Sequence, residues 1–166
     1  MSKLRLLLWE DCNRNCQGCC NKQWNLKDLP YCVDYSPYSE IMLTGGEPML
    51  YVDRVHSVIR DIRRESKAEI YLYTAMVKYR INESIDLLNA LDGITITLHT
   101  QRDVLPFKAF ASFTNGIKRS LRVNIFKGVY ISQIPKGWAV KDNIEWIENC
   151  PLPKDEVFMR CVEEDE

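Results

Sequence analysis

The sequence predicts an α/β fold: a parallel sheet of five to six strands with flanking helices. Three observations carry this expectation. Short runs rich in apolar, β-branched or aromatic residues recur at 4–9, 41–43, 69–74, 94–99 and 121–126, as expected of strands buried on both faces. Between several of them, apolar residues recur at steps of three and four, the period of an amphipathic helix. The alternation of the two patterns fits parallel pairing, because a parallel crossover needs a dozen or more residues and is usually a helix.

The first strand is the run containing Leu4, Leu6, Leu7, Leu8 and Trp9, and the second is Ile41-Met42-Leu43, followed at once by the turn Thr44-Gly45-Gly46-Glu47-Pro48. Val52, Val55, Ile59 and Ile62 then mark a helix that buries one stripe. The third strand is Glu-Ile-Tyr-Leu-Tyr-Thr at 69–74. Ile81, Ile85, Leu88 and Leu91 repeat the helical stripe, and Asp92-Gly93 closes that helix, with the glycine suited to a left-handed cap. A fourth strand at 94–99, a helix over about 106–119 and a fifth strand at 121–126 follow.

Beyond Phe126, Pro135, Gly137, Pro151 and Pro153 punctuate the chain, and Val157-Phe158-Met159 reads as a last short strand. No repeat or linker divides the sequence. The expectation is one domain over 1–166, with a core at about 1–126 and an irregular C-terminal extension at about 127–166.

Composition narrows the function classes. With 46% hydrophobic and 27% charged residues the chain can bury a core, and a net charge of −1 makes no electrostatic case for a nucleic-acid partner. The cluster Arg60, Arg63, Arg64 and Lys67 reads as a solvated helix C-terminus. The run at 4–9 is too short to cross a membrane and is stopped by Glu10 and Asp11, so no membrane partner or signal peptide is expected. Seven cysteines cannot all pair within one chain, and reduced thiols in a cytoplasmic setting are expected.

Cys12, Cys16 and Cys19, spaced C-x3-C-x2-C, follow the first strand. Three thiolates on one short loop can converge on three corners of a cubic iron–sulfur cluster, leaving one iron without a protein ligand and open to another molecule. In open parallel sheets ligands bind beyond the carboxyl ends of the strands. The cysteine loop, the Gly-Gly-Glu-Pro turn, Thr74 and His99 all fall at such ends.

In carrying both the cysteine triad and Gly45-Gly46-Glu47-Pro48, in that order, the chain resembles the radical S-adenosylmethionine (SAM) superfamily. The resemblance implies an open, partial (β/α) barrel. It also implies a [4Fe-4S] cluster held by Cys12, Cys16 and Cys19, with SAM as second cofactor. The Gly45–Pro48 turn, with Glu47 facing the methionyl amine, would bind SAM, and Thr74, Thr97, His99 and Asn124 are candidates for further contacts. The implied activity is reductive cleavage of SAM to a 5′-deoxyadenosyl radical that abstracts hydrogen from a substrate, with flavodoxin or ferredoxin as electron donor.

Most members of that superfamily carry an aromatic residue just before the third cysteine, where this chain has Gly18. Gly18, Asn21, Trp24 and the chain length resemble the small activases of anaerobic, glycyl-radical ribonucleotide reductase, whose partner is the glycyl-radical enzyme. Cys20 and the strand Ile94-Thr-Ile-Thr-Leu-His99 depart from them. Two other readings stand beside this one. A free-standing enzyme acting on a nucleotide, small metabolite or peptide, such as one similar to 7-carboxy-7-deazaguanine synthase, would need a lid, which Trp138, Trp146 and Phe158 could supply. A zinc-binding structural module would use Cys12, Cys16, Cys19 and Cys20 or Cys32 as ligands. Cys20, Cys32, Cys150 and Cys161 are too scattered for a second cluster and read as small buried hydrophobes, and His56 as a boundary residue of its helix.

Overall fold

The strands, β1 (Ser2–Leu7), β2 (Tyr31–Cys32), β3 (Tyr38–Thr44), β4 (Glu69–Thr74), β5 (Gly93–Leu98), β6 (Ser120–Phe126), β7 (Ala139–Ile144) and β8 (Glu156–Cys161), follow one another in the hydrogen-bonded order β2-β8-β1-β3-β4-β5-β6-β7. This computed structural model describes residues 2–14, 16, 18–76, 81–148 and 150–163. The chain forms two compact units, one of 1–70 with 146–166 and one of 71–145. The order leaves β2 and β7 with one neighbour each, so the sheet does not close. The open parallel α/β architecture is therefore as expected, with eight strands where five to six were expected.

In the first unit β1 (Ser2–Leu7) lies between β3 (Tyr38–Thr44) and β8 (Glu156–Cys161), and β8 also pairs with the two-residue β2 (Tyr31–Cys32), all in parallel. Leu4, Leu6, Ile41 and Leu43 are fully buried. Helix α1 (Val52–Glu65) buries Val52, Val55, Ile59 and Ile62, the stripe that its spacing predicts. A smaller apolar cluster of Leu7, Leu26 and Phe158 is flanked by Trp24, Leu29 and Leu152. Strand β4 (Glu69–Thr74) has the bounds expected from sequence and runs from the first unit into the second.

The second unit continues through α2 (Ile81–Ala90), β5 (Gly93–Leu98), α3 (Val104–Ser112), β6 (Ser120–Phe126) and β7 (Ala139–Ile144). Its ladders are parallel too. Of the expected stripe, Leu88 is buried on α2 and Leu91 just past its end, whereas Ile81 and Ile85 are half-buried and Ser84 and Leu87 complete the buried face. Gly93 is not a helix cap. It opens β5, where a Cβ would stand 2.6 Å from the Ser120 carbonyl oxygen and 2.8 Å from the Tyr71 ring, so its lack of a side chain serves strand approach. Helix α3 stops at Ser112 instead of about 119, because a Thr114-Asn115-Gly116 turn follows with Gly116 at φ +80°.

Residues 127–166, expected to be irregular, carry β7 and β8. Trp138 belongs to the core of the second unit: it is buried edge-on against Phe107 and Phe110, and its indole N–H donates to Thr114 Oγ1 at 3.0 Å. Phe158 is buried on β8. Of the three aromatic residues that could have lined a lid, Trp146 alone is exposed. Among the described residues no helix is long and apolar enough to cross a membrane.

Candidate metal centre

The cysteine loop leaves β1 and the Gly-Gly-Glu turn leaves β3, its parallel neighbour, so both emerge at the carboxyl edge of adjacent strands. The ladder runs on past the strands as Leu8 N–H donates to the Thr44 carbonyl at 2.9 Å. Gly46 N–H then donates to Trp9 O (2.9 Å) and Glu47 N–H to Asp11 O (2.8 Å), while the Trp9 indole N–H returns a bond to Glu47 O (3.2 Å). From the far side of the loop, the Asn21 amide donates to the Gly45 carbonyl at 2.7 Å. Two segments about two dozen residues apart are thereby sewn into one piece.

This stitching explains both glycines. A Cβ on Gly45, whose φ is +154°, would lie 2.7 Å from the Trp9 carbonyl oxygen, and one on Gly46 would collide with the backbone of Asp11. Pro48 follows as the first residue of a short 3-10 turn, Pro48–Leu50, where a missing N–H costs nothing. The entry to the loop is tied to the start of α1 as well. The Tyr51 hydroxyl donates to Asp11 Oδ2 at 2.8 Å, and the Arg54 guanidinium lies over the rings of Trp9 (5.0 Å) and Tyr51 (5.6 Å).

Cys12 is exposed, and Cys16 and Cys19 are half-buried. Cys19 N–H donates to the Cys16 carbonyl at 3.3 Å, and Arg14 N–H points at Cys12 Sγ at 3.4 Å. Partial burial pushes the thiols of Cys12 and Cys16 up. For Cys12, Arg14 N–H opposes this, while the charges of Glu47, Cys16 and Cys19 add to it. For Cys16, Arg14 opposes the rise and Cys19 adds to it. The three thiols thus lie within electrostatic reach of one another, and Glu47 within reach of Cys12. Among the described residues no three His, Cys, Asp or Glu groups are gathered closely enough to cage a metal ion. Three thiolates repel one another, so gathering them around a cluster would be coupled to binding it. In kind and number the donors suit an iron–sulfur cluster with one open iron.

Glu47 is 2% exposed, and its Oε1 accepts the Met49 N–H at 3.0 Å, capping the 3-10 turn. A buried carboxylate within electrostatic reach of Cys12 is a suitable counter-charge for a cation and a poor companion for an anion.

The remaining expected contacts belong to the second unit. Thr74 is buried at the end of β4, its Oγ1 accepting from Met76 N–H at 3.0 Å. Thr97 and Asn124 are register partners on β5 and β6, both half-buried, so they lie side by side on one face of that ladder. His99 follows β5 with its ring 4.8 Å from that of Phe126. Sequence reasoning missed Asp103, whose buried carboxylate accepts the N–H groups of His99 (2.9 Å) and Thr100 (3.0 Å) and fixes the exit of β5. The signal was present as Thr100-x-x-Asp103, a capping box.

One cysteine expectation needs correction. Cys20 and Cys150 form a disulfide with Cα atoms 5.5 Å apart, across a sequence separation of 130. Such a separation hides the pair from any spacing rule. Cys150 has φ +37°, a left-handed conformation that costs a non-glycine residue about 1–2 kcal/mol. Cys32 and Cys161 are buried register partners on β2 and β8 and take part in no disulfide, as small hydrophobes should be. His56 is half-buried on α1, at the boundary expected of it.

A family model described as "4Fe-4S single cluster domain" matches residues 3–104, from β1 to the first residue of α3. No curated protein matches the chain.

Proposed function

The chain belongs to the family of 4Fe-4S single cluster domains, and from that premise we propose that Cys12, Cys16 and Cys19 hold the cluster and that the protein is a radical SAM enzyme. The observation that carries the reading is the bonding of the cysteine loop to the Gly45–Gly46–Glu47 turn through Trp9, Asp11 and Asn21. A structural zinc module would have no use for a second motif held against its ligands. When bound, the cluster would supply the electron that cleaves SAM to methionine and a 5′-deoxyadenosyl radical, the species that takes hydrogen from a substrate.

The chain's own residues would hold and orient. Three thiolates would leave one iron open for the amino and carboxylate groups of SAM. Glu47 would place a buried negative charge near the methionyl ammonium, its desolvation partly offset by Met49 N–H. Thr74, Thr97, His99 and Asn124 stay candidates for the rest of the molecule. Among substrates we favour a glycyl-radical partner protein, because burial of Trp138 and Phe158 takes from the C-terminal segment two of the aromatic residues that a small-molecule lid would need.

Anaerobic reconstitution tests the ligand set. Cys12→Ala, Cys16→Ala and Cys19→Ala should each lose most of the bound iron and the cluster's visible absorption. Cys32→Ala, at a buried thiol on β2, should keep both. If Cys32→Ala loses as much iron as Cys16→Ala, the ligand assignment is wrong.

A further inference from the structure

Trp146 and Cys150 hold the chain to the cysteine loop through three contacts of different kinds. Cys150 is bonded to Cys20, one residue past the triad. The Trp24 indole N–H donates to the Cys150 carbonyl at 3.2 Å. The Trp146 side chain packs so closely on Gly18 that a Cβ there would collide with the indole. Past Cys150 the chain is anchored, since Leu152 packs with Leu7, Leu26 and Phe158. On the other side, Trp146 and Ile147 are exposed. The segment is therefore a strap, anchored at residue 152 and tied to the cysteine loop by one covalent bond that can be broken reversibly.

We propose that Cys20 and Cys150 form a thiol–disulfide modification site, a redox clasp that closes the strap over Gly18 and Cys20 when oxidised and frees Trp146 from Gly18 when reduced. The clasp rests on contacts of the strap alone and does not depend on what the triad binds. Cys20 is half-buried and Cys150 is 4% exposed, so a reductant reaches the Cys20 sulfur first. The thiolate of a small dithiol, or of a dithiol protein, attacks Cys20 Sγ. Cys150 leaves as thiolate and takes up a proton. The second thiol of the reagent then resolves the mixed disulfide, so the clasp gains two electrons and two protons and the reagent becomes a disulfide. Oxidation runs the same exchange in reverse, with a small-molecule disulfide as acceptor.

Release follows from the backbone as well as from the lost bond. Cys150 holds its left-handed φ of +37° within a tight turn in which its N–H donates to Ile147 O at 3.4 Å. Once the sulfur is free, the covalent tie is gone and only two non-covalent contacts hold against it, so the disfavoured conformation can relax and Trp146 can leave Gly18.

The full-length chain would be equilibrated in buffers of graded reduced and oxidised dithiothreitol, quenched in acid, alkylated and mapped by mass spectrometry. The expected oxidised product is a tryptic pair joining 15–22 to 142–154 through Cys20 and Cys150, with one two-electron transition. Across that transition chymotryptic cleavage after Trp146 should rise about tenfold. The fluorescence should change in step, and Trp146→Phe should remove that change. Cys20→Ser should match the reduced chain under all conditions; should that variant fail to fold, reduced and alkylated wild type replaces it. A bridge from Cys150 to Cys16 or Cys19, or equal cleavage after Trp146 in the oxidised and reduced chains, would overturn the clasp. None of these readouts involves iron, so they stand apart from the cluster assignment.

Discussion

A carboxylate that is only 2% exposed must find compensation inside the protein, and Glu47 finds part of it in the Met49 N–H. The residue therefore has two separable tasks, capping the turn through one oxygen and carrying a charge. Glu47→Gln separates them, because the amide oxygen can still accept from Met49 while the charge is gone. The expected result is a denaturation midpoint close to wild type and SAM affinity lower by about tenfold or more, the worth of one charge-assisted contact. Equilibrium dialysis on the reconstituted protein measures it, and wild-type affinity would reduce Glu47 to a cap. At this scale the sequence was informative where a motif names its own chemistry, as in the cysteine triad and the Gly-Gly-Glu turn. It was silent on what packs against Gly18 and on the Cys20–Cys150 bond, since both partners lie more than a hundred positions away.

Between neighbouring elements, the joint that matters is the one from loop to turn, and Asn21 makes it from the loop's far side. Truncation as Asn21→Ala removes the 2.7 Å bond to the Gly45 carbonyl and leaves that oxygen without this donor. Such losses cost about 1 kcal/mol, so the urea midpoint should fall slightly. The larger expected effect is on assembly: with the loop untied from the turn, the triad has more arrangements to give up on binding iron, and cluster content per chain should fall measurably in parallel reconstitutions. Full iron loading at wild-type rate would show that the backbone bonds of Trp9 and Asp11 suffice. Elements with strong apolar periodicity were legible, and β4 was expected with its observed bounds. Strand β7 was not: Ala139–Ile144 is exposed along nearly its whole length, lies at the end of the strand order, and so shows neither alternation nor an apolar run. Strand β8 was read only as a short possibility, because what makes it a strand is its place beside β1, a neighbour at the opposite end of the sequence.

Across the whole chain, the family match ends at residue 104, so β6, β7, β8 and the strap lie outside it. Cluster chemistry is the property of the matched part, whereas substrate choice is open to the remainder. There, Trp138 and Phe158 are committed to packing and the clasp holds Trp146 against the loop. A free-standing enzyme has to enclose a small substrate and exclude water from its radical. An activase instead borrows enclosure from the protein that it activates, so it needs little lid of its own, and its turnover should depend on that partner. The prediction is that the reconstituted chain, incubated anaerobically with reductant and SAM, releases 5′-deoxyadenosine slowly. Adding a glycyl-radical ribonucleotide reductase should speed release, with a glycyl doublet appearing in the electron paramagnetic resonance spectrum. The doublet must vanish when the partner's glycine is replaced by alanine, which separates activation from idle SAM cleavage. Rapid release stimulated by a nucleotide or peptide, with no doublet, would move the assignment to a free-standing enzyme, with the strap and the Thr97–Asn124 pair as the first places to substitute.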